Sequence, residues 1–161
     1  MRLSTHLTEP TVRPTVVADA CALIDAEVAR TTGMSGVAVR SAHRVLKSVR
    51  PGIEPVAVDG LLDQFADQLD PFYQQHLATG EPLVAVLSSQ RTSMAEALLS
   101  ITDDRAERTS HDTLRRAYQR LRGAARGHVE AAAPGIADLI ARHTPEAPVP
   151  DGARPEADRP S

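Results

Sequence analysis

Apolar residues recur every three or four positions along most of this chain, in successive segments that end near a glycine or a proline. This spacing places apolar side chains on one face of an α-helix, because an α-helix turns once every 3.6 residues. In the first segment the aliphatic residues between Val16 and Val28 share a face, and Gly33 follows where the helix should end. The pattern continues to about Arg142 and predicts an all-α fold.

Seven or eight helices are expected from these segments. The apolar run at residues 82–89 fits a short helix or a strand, and we favour the helix because the rest of the chain is helical. The other predicted helices cover about 15–30, 36–49, 54–69, 71–80 and 93–107, with one opening at Ser110 and a last one ending near Arg142.

Local signals mark the predicted helix ends. Asp70 followed by Pro71 is typical of a cap and a first helical residue, so a separate helix should begin there. The stretch SMAE at 93–96 has the form of a capping box. Gly123 should weaken the helix that contains it, and Pro134 should kink the last helix.

Length and composition predict one domain at residues 1–143, a compact helical bundle. Residues 144–161 contain five prolines and no aromatic residue, so we expect a disordered C-terminal tail. Cys21 is the single cysteine, which excludes an internal disulfide and fits a reducing cytoplasm. No apolar run approaches the roughly 18 residues of a membrane-spanning helix.

Two long runs of the sequence resemble a known family. The runs are LIDAEVARTTGMSGVAVRSAHRVLKSVRPGIEPVAVDGLLDQFADQLDPFY and ALLSITDDRAERTSHDTLRRAYQRLRGAARGHVEAAAPGIADLIARH. They are similar to an actinobacterial family of small helical proteins of unknown function. The resemblance covers nearly everything except the tail. It implies a helical fold and an intracellular, high-GC bacterial source, which also fits the preference for Arg over Lys, but it implies no activity, substrate or catalytic residue.

Positive charge is concentrated in the second predicted helix, although the chain has a formal net charge of −3. The predicted apolar stripe of this helix is Ala38, Ala42, Val45, Leu46 and Val49. When residues are spaced at 100° around the helix axis, Arg40, Arg44 and Lys47 centre opposite this stripe, so we expect them to point into solvent. A solvated face partly balanced by neighbouring acids is the plainest interpretation. The segregated charge also suggests a binding surface for an acidic protein or for a second copy of the chain.

Other partners fit this basic face less well. Nucleic-acid binding usually brings a basic domain and aromatic stacking residues, whereas the sequence pI here is about 6.0 and aromatics are few. A membrane-surface helix needs bulky apolar residues, and the apolar stripe of the second helix is mostly Ala and Val. The composition therefore argues against both nucleic acid and membrane as partners.

No catalytic or metal-binding motif is present in the sequence. The six histidines form no HExxH or HxH pattern, and no nucleophile elbow, phosphate-binding loop or dinucleotide fingerprint occurs. We therefore assign no catalytic residue, no metal and no cofactor. Two charged residues do fall on apolar faces, Glu27 and Arg105, and a buried or half-buried pair between them is one interpretation. The other is that Arg105, near a helix C-terminus, is stabilised by the helix dipole alone.

The sequence predicts a non-catalytic helical protein of the cytoplasm that associates with a partner or with itself. The alternative is a binder of a small molecule or an acyl chain, or an enzyme, with a pocket between helices. A pocket lined by Val, Leu and Met has the same periodicity as a solid core, so the sequence leaves both readings open.

Overall fold

The computed structural model describes residues 1–145, without the side chain of Val49. The predicted tail therefore lies outside the described residues from position 146 onward. Residues 1–145 contain no strand, and the prediction of an all-α bundle is confirmed. The described helices are α1 (Leu3–Leu7), α2 (Arg13–Arg30), α3 (Gly33–Val49), α4 (Ile53–Thr79), α5 (Leu83–Ser89), α6 (Arg91–Arg108), α7 (Asp112–Ala131) and α8 (Ala133–His143).

Helix α4 is the centre of the bundle and contacts α1, α2, α5 and α6. It continues through Pro71, so the separate helix predicted to start there is wrong. Leu69, Phe72 and Tyr73 are all buried on either side of the proline. Burial of these large side chains against one core favours a continuous helix and offsets the backbone hydrogen bond that proline removes.

Asp70 caps a different helix from the one that its sequence position suggests. Its Oδ1 accepts a hydrogen bond of 2.7 Å from the backbone nitrogen of Leu3, at the start of α1. Gln74 also donates to this oxygen, at 3.1 Å. The five-residue helix α1, which the periodicity did not predict, is fixed to α4 by this carboxylate and by the burial of Leu3 and Leu7.

Several boundaries between α5 and α8 differ from those predicted. The run at 82–89 is helical, as favoured, and forms α5. Helix α6 begins at Arg91, so Ser93 lies inside it and the capping box is wrong. Helix α7 passes through Gly123, and the chain breaks at Ala132, just before Pro134, so that α8 is a separate helix rather than a kinked continuation.

The buried core lies between α4 and the helices α1, α2, α5 and α8, with the first half of α6. Helices α3 and α7 are built differently. Helix α7 has no buried residue, and among the described residues of α3 only Gly36 is buried. These two helices contact each other and cover one side of the bundle. Within residues 1–145, no helix is both long enough and apolar enough to cross a bilayer.

Candidate functional site

An apolar cavity of about 340 Å³ lies between the core and the two covering helices. Nineteen of its 23 lining residues are apolar, and the other four are Glu27, Thr31, Thr102 and His128. The apolar residues are Leu7, Val16, Ala20, Leu23, Ile24, Val28, Val39, Val58, Leu62, Phe65, Ala66, Leu69, Leu98, Leu99, Val129, Ala132, Ile136, Leu139 and Ile140.

The cavity follows the inner face of α2. Its lining residues on that helix run from Val16 to Val28, a distance of about 18 Å at 1.5 Å per residue, and Thr31 follows just after the helix end. Helices α4 and α8 supply only apolar side chains. The four polar side chains are Glu27 on α2, Thr31 just after α2, Thr102 on α6 and His128 on α7. The space is therefore long, with aliphatic walls and few polar groups.

The covering helix α7 is joined to α6 by polar contacts. Arg122 Nε lies 2.8 Å from Asp103 Oδ1, and its Nη2 lies 3.1 Å from Glu96 Oε2. Tyr118 donates to Asp103 at 2.6 Å, and its hydroxyl lies 2.7 Å from that of Thr102, a lining residue. Burial and the hydrogen bond to Asp103 raise the pKa of Tyr118 to about 12, so this hydroxyl keeps its proton at neutral pH.

The pair predicted between Glu27 and Arg105 does not form. Glu27 is half-buried at the cavity, and its carboxylate accepts a hydrogen bond of 3.2 Å from Arg30, one turn further along α2. Arg105 is exposed near the end of α6. Arg30 can reach Glu27 from solvent, so this acid needs no partner from another helix.

The basic residues of α3 do not form one outward stripe. Arg44 is exposed as predicted, but Arg40 donates to the backbone carbonyl of Thr31 at the end of α2. Lys47 Nζ contacts the carboxylates of Asp25 and Glu54. The helix is turned by roughly a quarter turn from the predicted orientation, so that Val45, expected inside, is exposed. Any binding role of Arg40, Arg44 and Lys47 stays a prediction.

The neighbouring acids expected to balance this basic face, Asp59, Asp63 and Asp67 on one flank of α4, contact cations other than those of α3. Arg13 at the start of α2 lies 2.7 Å from Asp59 and 3.0 Å from Asp63. Arg2 lies 3.3 Å from Asp67. The acids that the sequence placed near the basic helix are thus balanced by the N-terminal segment.

A compact polar cluster joins α2, α3 and α4 at one side of the molecule. It consists of Asp25, His43 and Glu54, with Lys47 beside them. His43 Nε2 lies 3.0 Å from Glu54 Oε2 and 3.5 Å from Asp25 Oδ1. Glu54 is 93% buried, and its other oxygen, Oε1, has no hydrogen-bond partner among the described residues.

Sequence reasoning missed this cluster and predicted no group of metal-ligating residues. Each of its members comes from a different helix, so no spacing along the chain could have indicated it. Glu54 gives the one local signal, because an acid in the first turn of a helix is stabilised by the helix dipole.

The sequence model of a family of unknown function (DUF6918) matches residues 3–144 of this chain. No curated protein and no solved structure matches. The matched residues include every described helix and all members of the cavity and of the polar cluster. The actinobacterial source and the cytoplasmic location stay predictions.

Proposed function

The chain belongs to this family of unknown function, which supplies no activity, so we propose a role from the cavity. The protein binds one elongated apolar molecule of the alkyl- or acyl-chain class. The sequence leaves such a binder open as the alternative to an interaction protein. The observation that carries it is a space of about 340 Å³ that is lined mainly by aliphatic side chains. Small-molecule sites typically range from about 300 to 1,000 Å³, and a dry apolar cavity of about 150 Å³ already holds benzene.

The shape of the cavity favours a chain over a compact ring system. Lining residues extend along about 18 Å of α2, so a volume of this size is spread over a long, narrow space. An alkyl chain can follow such a space and bury each methylene, at about 0.8 kcal/mol per methylene.

A way in lies on the side of the covering helices. The lining residues Val39 on α3 and His128 on α7 are only half-buried, and Ile24 on α2 is exposed. Helices α3 and α7 can move away from the core at lower cost than α4 or α8, because they bury little apolar surface. Ligand entry between the cover and α2 therefore leaves the main core intact.

Glu27 selects against a free fatty acid at its end of the cavity. A ligand carboxylate beside this half-buried carboxylate would be destabilised by the like charge. A hydroxyl, amide or amine end group could instead donate a hydrogen bond to it. The expected ligand is thus a long-chain alcohol, amide or amine rather than a fatty acid.

The test is displacement of a fluorescent apolar probe by a series of n-alkyl alcohols of increasing length. Each added methylene should tighten binding about fourfold, the equivalent of about 0.8 kcal/mol, until the chain outgrows the cavity. The fatty acid of the same length should bind more weakly, and Glu27→Gln should reduce that difference. Affinity that does not depend on chain length would contradict the proposal.

A matched pair of substitutions on α2 separates filling the cavity from disturbing the helix. Ala20 lines the cavity, whereas Ala18 is exposed on the same helix. Ala20→Phe should abolish probe binding without lowering the melting temperature, because its ring enters existing space. Ala18→Phe should change neither. If Ala20→Phe destabilises by the roughly 1–3 kcal/mol typical of overpacking, the space is not available to a ligand.

Self-association is a second candidate function, supported by apolar side chains on the outer face of α3. Met34 is 89% exposed, and Val37 and Val45 are more than half exposed on the same face. A second copy of the chain offers the same apolar face, whereas an acidic protein would find mainly Arg44 there.

Solution mass at low and high salt tests this second candidate. Association through the apolar face should persist in high salt and be lost in Val37→Asp/Val45→Asp, with Arg44→Glu as the control that leaves it unchanged. Loss in high salt and in Arg44→Glu would instead indicate the charged surface that the sequence predicted. A monomer under all conditions would exclude self-association.

A further inference from the structure

We infer that Asp25, His43 and Glu54 form a binding site for one divalent transition-metal ion of the zinc class. The three residues converge from α2, α3 and α4, and one ligand atom from each lies within 4.8 Å of the other two. This inference is independent of the apolar cavity and does not rest on the proposed function.

The distances suit a metal ion. Zinc binds imidazole nitrogen and carboxylate oxygen at about 2.0–2.2 Å, which in tetrahedral geometry separates neighbouring ligand atoms by about 3.3–3.5 Å. The imidazole nitrogen of His43 lies 3.0 Å from the Glu54 oxygen and 3.5 Å from the Asp25 oxygen. A small closure of the Asp25 side chain, which is half exposed, would complete the three-ligand set.

Glu54 gives an independent indication of a cation-binding site. This carboxylate is 93% buried, yet its Oε1 has no hydrogen-bond partner among the described residues. A buried carboxylate oxygen without a donor is costly. A metal ion held by both oxygens, or by one with a bound water on the other, would satisfy it.

In this cluster the ammonium group of Lys47 supplies the positive charge beside the two carboxylates. Its ammonium contacts both carboxylates, at 3.3 Å in the case of Glu54. The formal charges of Asp25, Glu54 and Lys47 add up to −1, which leaves the cluster attractive to a cation. The lysine side chain is 44% exposed and its stem is flexible, so its ammonium can move into solvent when a metal ion takes its place.

The donor set contains no thiolate. Cys21 on α2 is half-buried, and it does not belong to the group of ligand atoms that lie within 4.8 Å of one another. One nitrogen and two carboxylates leave an open position for water, as in zinc sites with three protein ligands.

The experiment is calorimetric titration of the chelator-treated protein with Zn²⁺, together with the visible spectrum of its Co²⁺ form. We expect one ion per chain and the intense absorption of tetrahedral Co²⁺. His43→Ala and Asp25→Asn should each weaken Zn²⁺ binding more than 10-fold. Asp25 is exposed, so this variant should fold even if a change at buried Glu54 does not.

Two further variants distinguish a site from general surface binding. His143 Nε2 lies 2.8 Å from Asp19 Oδ2, and His143 contacts no second carboxylate among the described residues. His143→Ala should therefore bind Zn²⁺ like the wild type. Lys47→Met removes the competing ammonium and should tighten Zn²⁺ binding. Wild-type protein that binds no ion, or His43→Ala that binds as well as wild type, would overturn the inference.

Discussion

Two regions of this molecule are helical to a similar extent but are held in place by different forces. The packed region, α1, α4, α5 and α8, buries large side chains completely, including Leu3, Leu87 and Ile140. The cover, α3 and α7, has strongly amphipathic sequences but no fully buried large side chain among its described residues. It is held mainly by polar contacts, such as those of Lys47 and Arg122.

This difference shows that an amphipathic pattern does not guarantee a solid interface. Val39 of α3 and Val129 of α7 line the cavity rather than a closely packed surface, and the other described apolar side chains of the cover are at most half-buried. Apolar groups that face a void lose the dispersion contacts that close packing provides. The packed region should therefore determine the stability of the protein, and the cover should determine access to its interior.

The largest expected effect is the difference between two Leu→Ala substitutions, one in each region. Leu87→Ala in α5 should lower the free energy of unfolding by about 2–5 kcal/mol, because this side chain is fully buried. Leu121→Ala in α7 should cost about 1 kcal/mol, because Leu121 is only half-buried. Urea denaturation measures both. Equal losses would show that the cover is packed like the core.

Native-state hydrogen exchange should show the next largest difference. Amides of α3 and α7 should open with free energies at least about 2 kcal/mol below those of α4 and α8, because opening the cover exposes little buried apolar surface. A long-chain alcohol should raise the values for the cover more than those for α4. Uniform protection across all helices would remove the distinction between the two regions.

A smaller effect should follow from removing a single hydroxyl of the cover. Tyr118→Phe loses the hydrogen bond to Asp103 and should cost about 1 kcal/mol, with faster exchange confined to α7 and the end of α6. Tyr73→Phe makes the same chemical change in the packed region, in α4. It should leave the exchange of α7 unchanged, and any shared response would indicate that the two regions unfold together.

The smallest effect concerns pH. Burial raises the pKa of Asp103, but hydrogen bonds from Arg122 and Tyr118 outweigh it and hold the pKa below the ordinary 3.8. The folded state therefore favours the carboxylate, which adds stability above about pH 4 that is lost as the pH falls through the lowered pKa. Asp103→Asn should flatten the thermal stability between about pH 4.5 and 3 by a few tenths of a kcal/mol. Asp104→Asn, an exposed neighbour, should keep the wild-type profile.

Most of the helices could be predicted because their signals are local. The periodicity located α2, α3 and α6 to within a few residues at most ends and the end of α8 to within one residue, and residues 50–52 end α3 as expected. The helix start predicted at Pro71 is wrong for a physical reason. The cost of a proline inside a helix is local, whereas the gain from burying Leu69 and Phe72 against one core comes from the tertiary structure.

The candidate site could not be predicted to the same extent. The cavity and a solid core have the same aliphatic spacing, and only the distance between helices distinguishes them. The predicted pair of Glu27 and Arg105 assumed a helix contact that does not exist. Asp25, His43 and Glu54 are brought together by the packing of three helices, which no interval in the sequence records.

The sequence by itself determined that residues 1–145 are all-α and that α2, α3 and α4 end near a glycine, because backbone hydrogen bonds and apolar periodicity act within a few residues. Only the tertiary structure decided which face of α3 turns inward. Periodicity predicts that Val45 faces inward, but Val45 is exposed. The face of α3 that turns towards α4 is the one with His43 and Lys47, and both contact Glu54, which is buried at the start of α4. A buried charge must be paired wherever its helix is packed, and that requirement outweighs the burial of one valine.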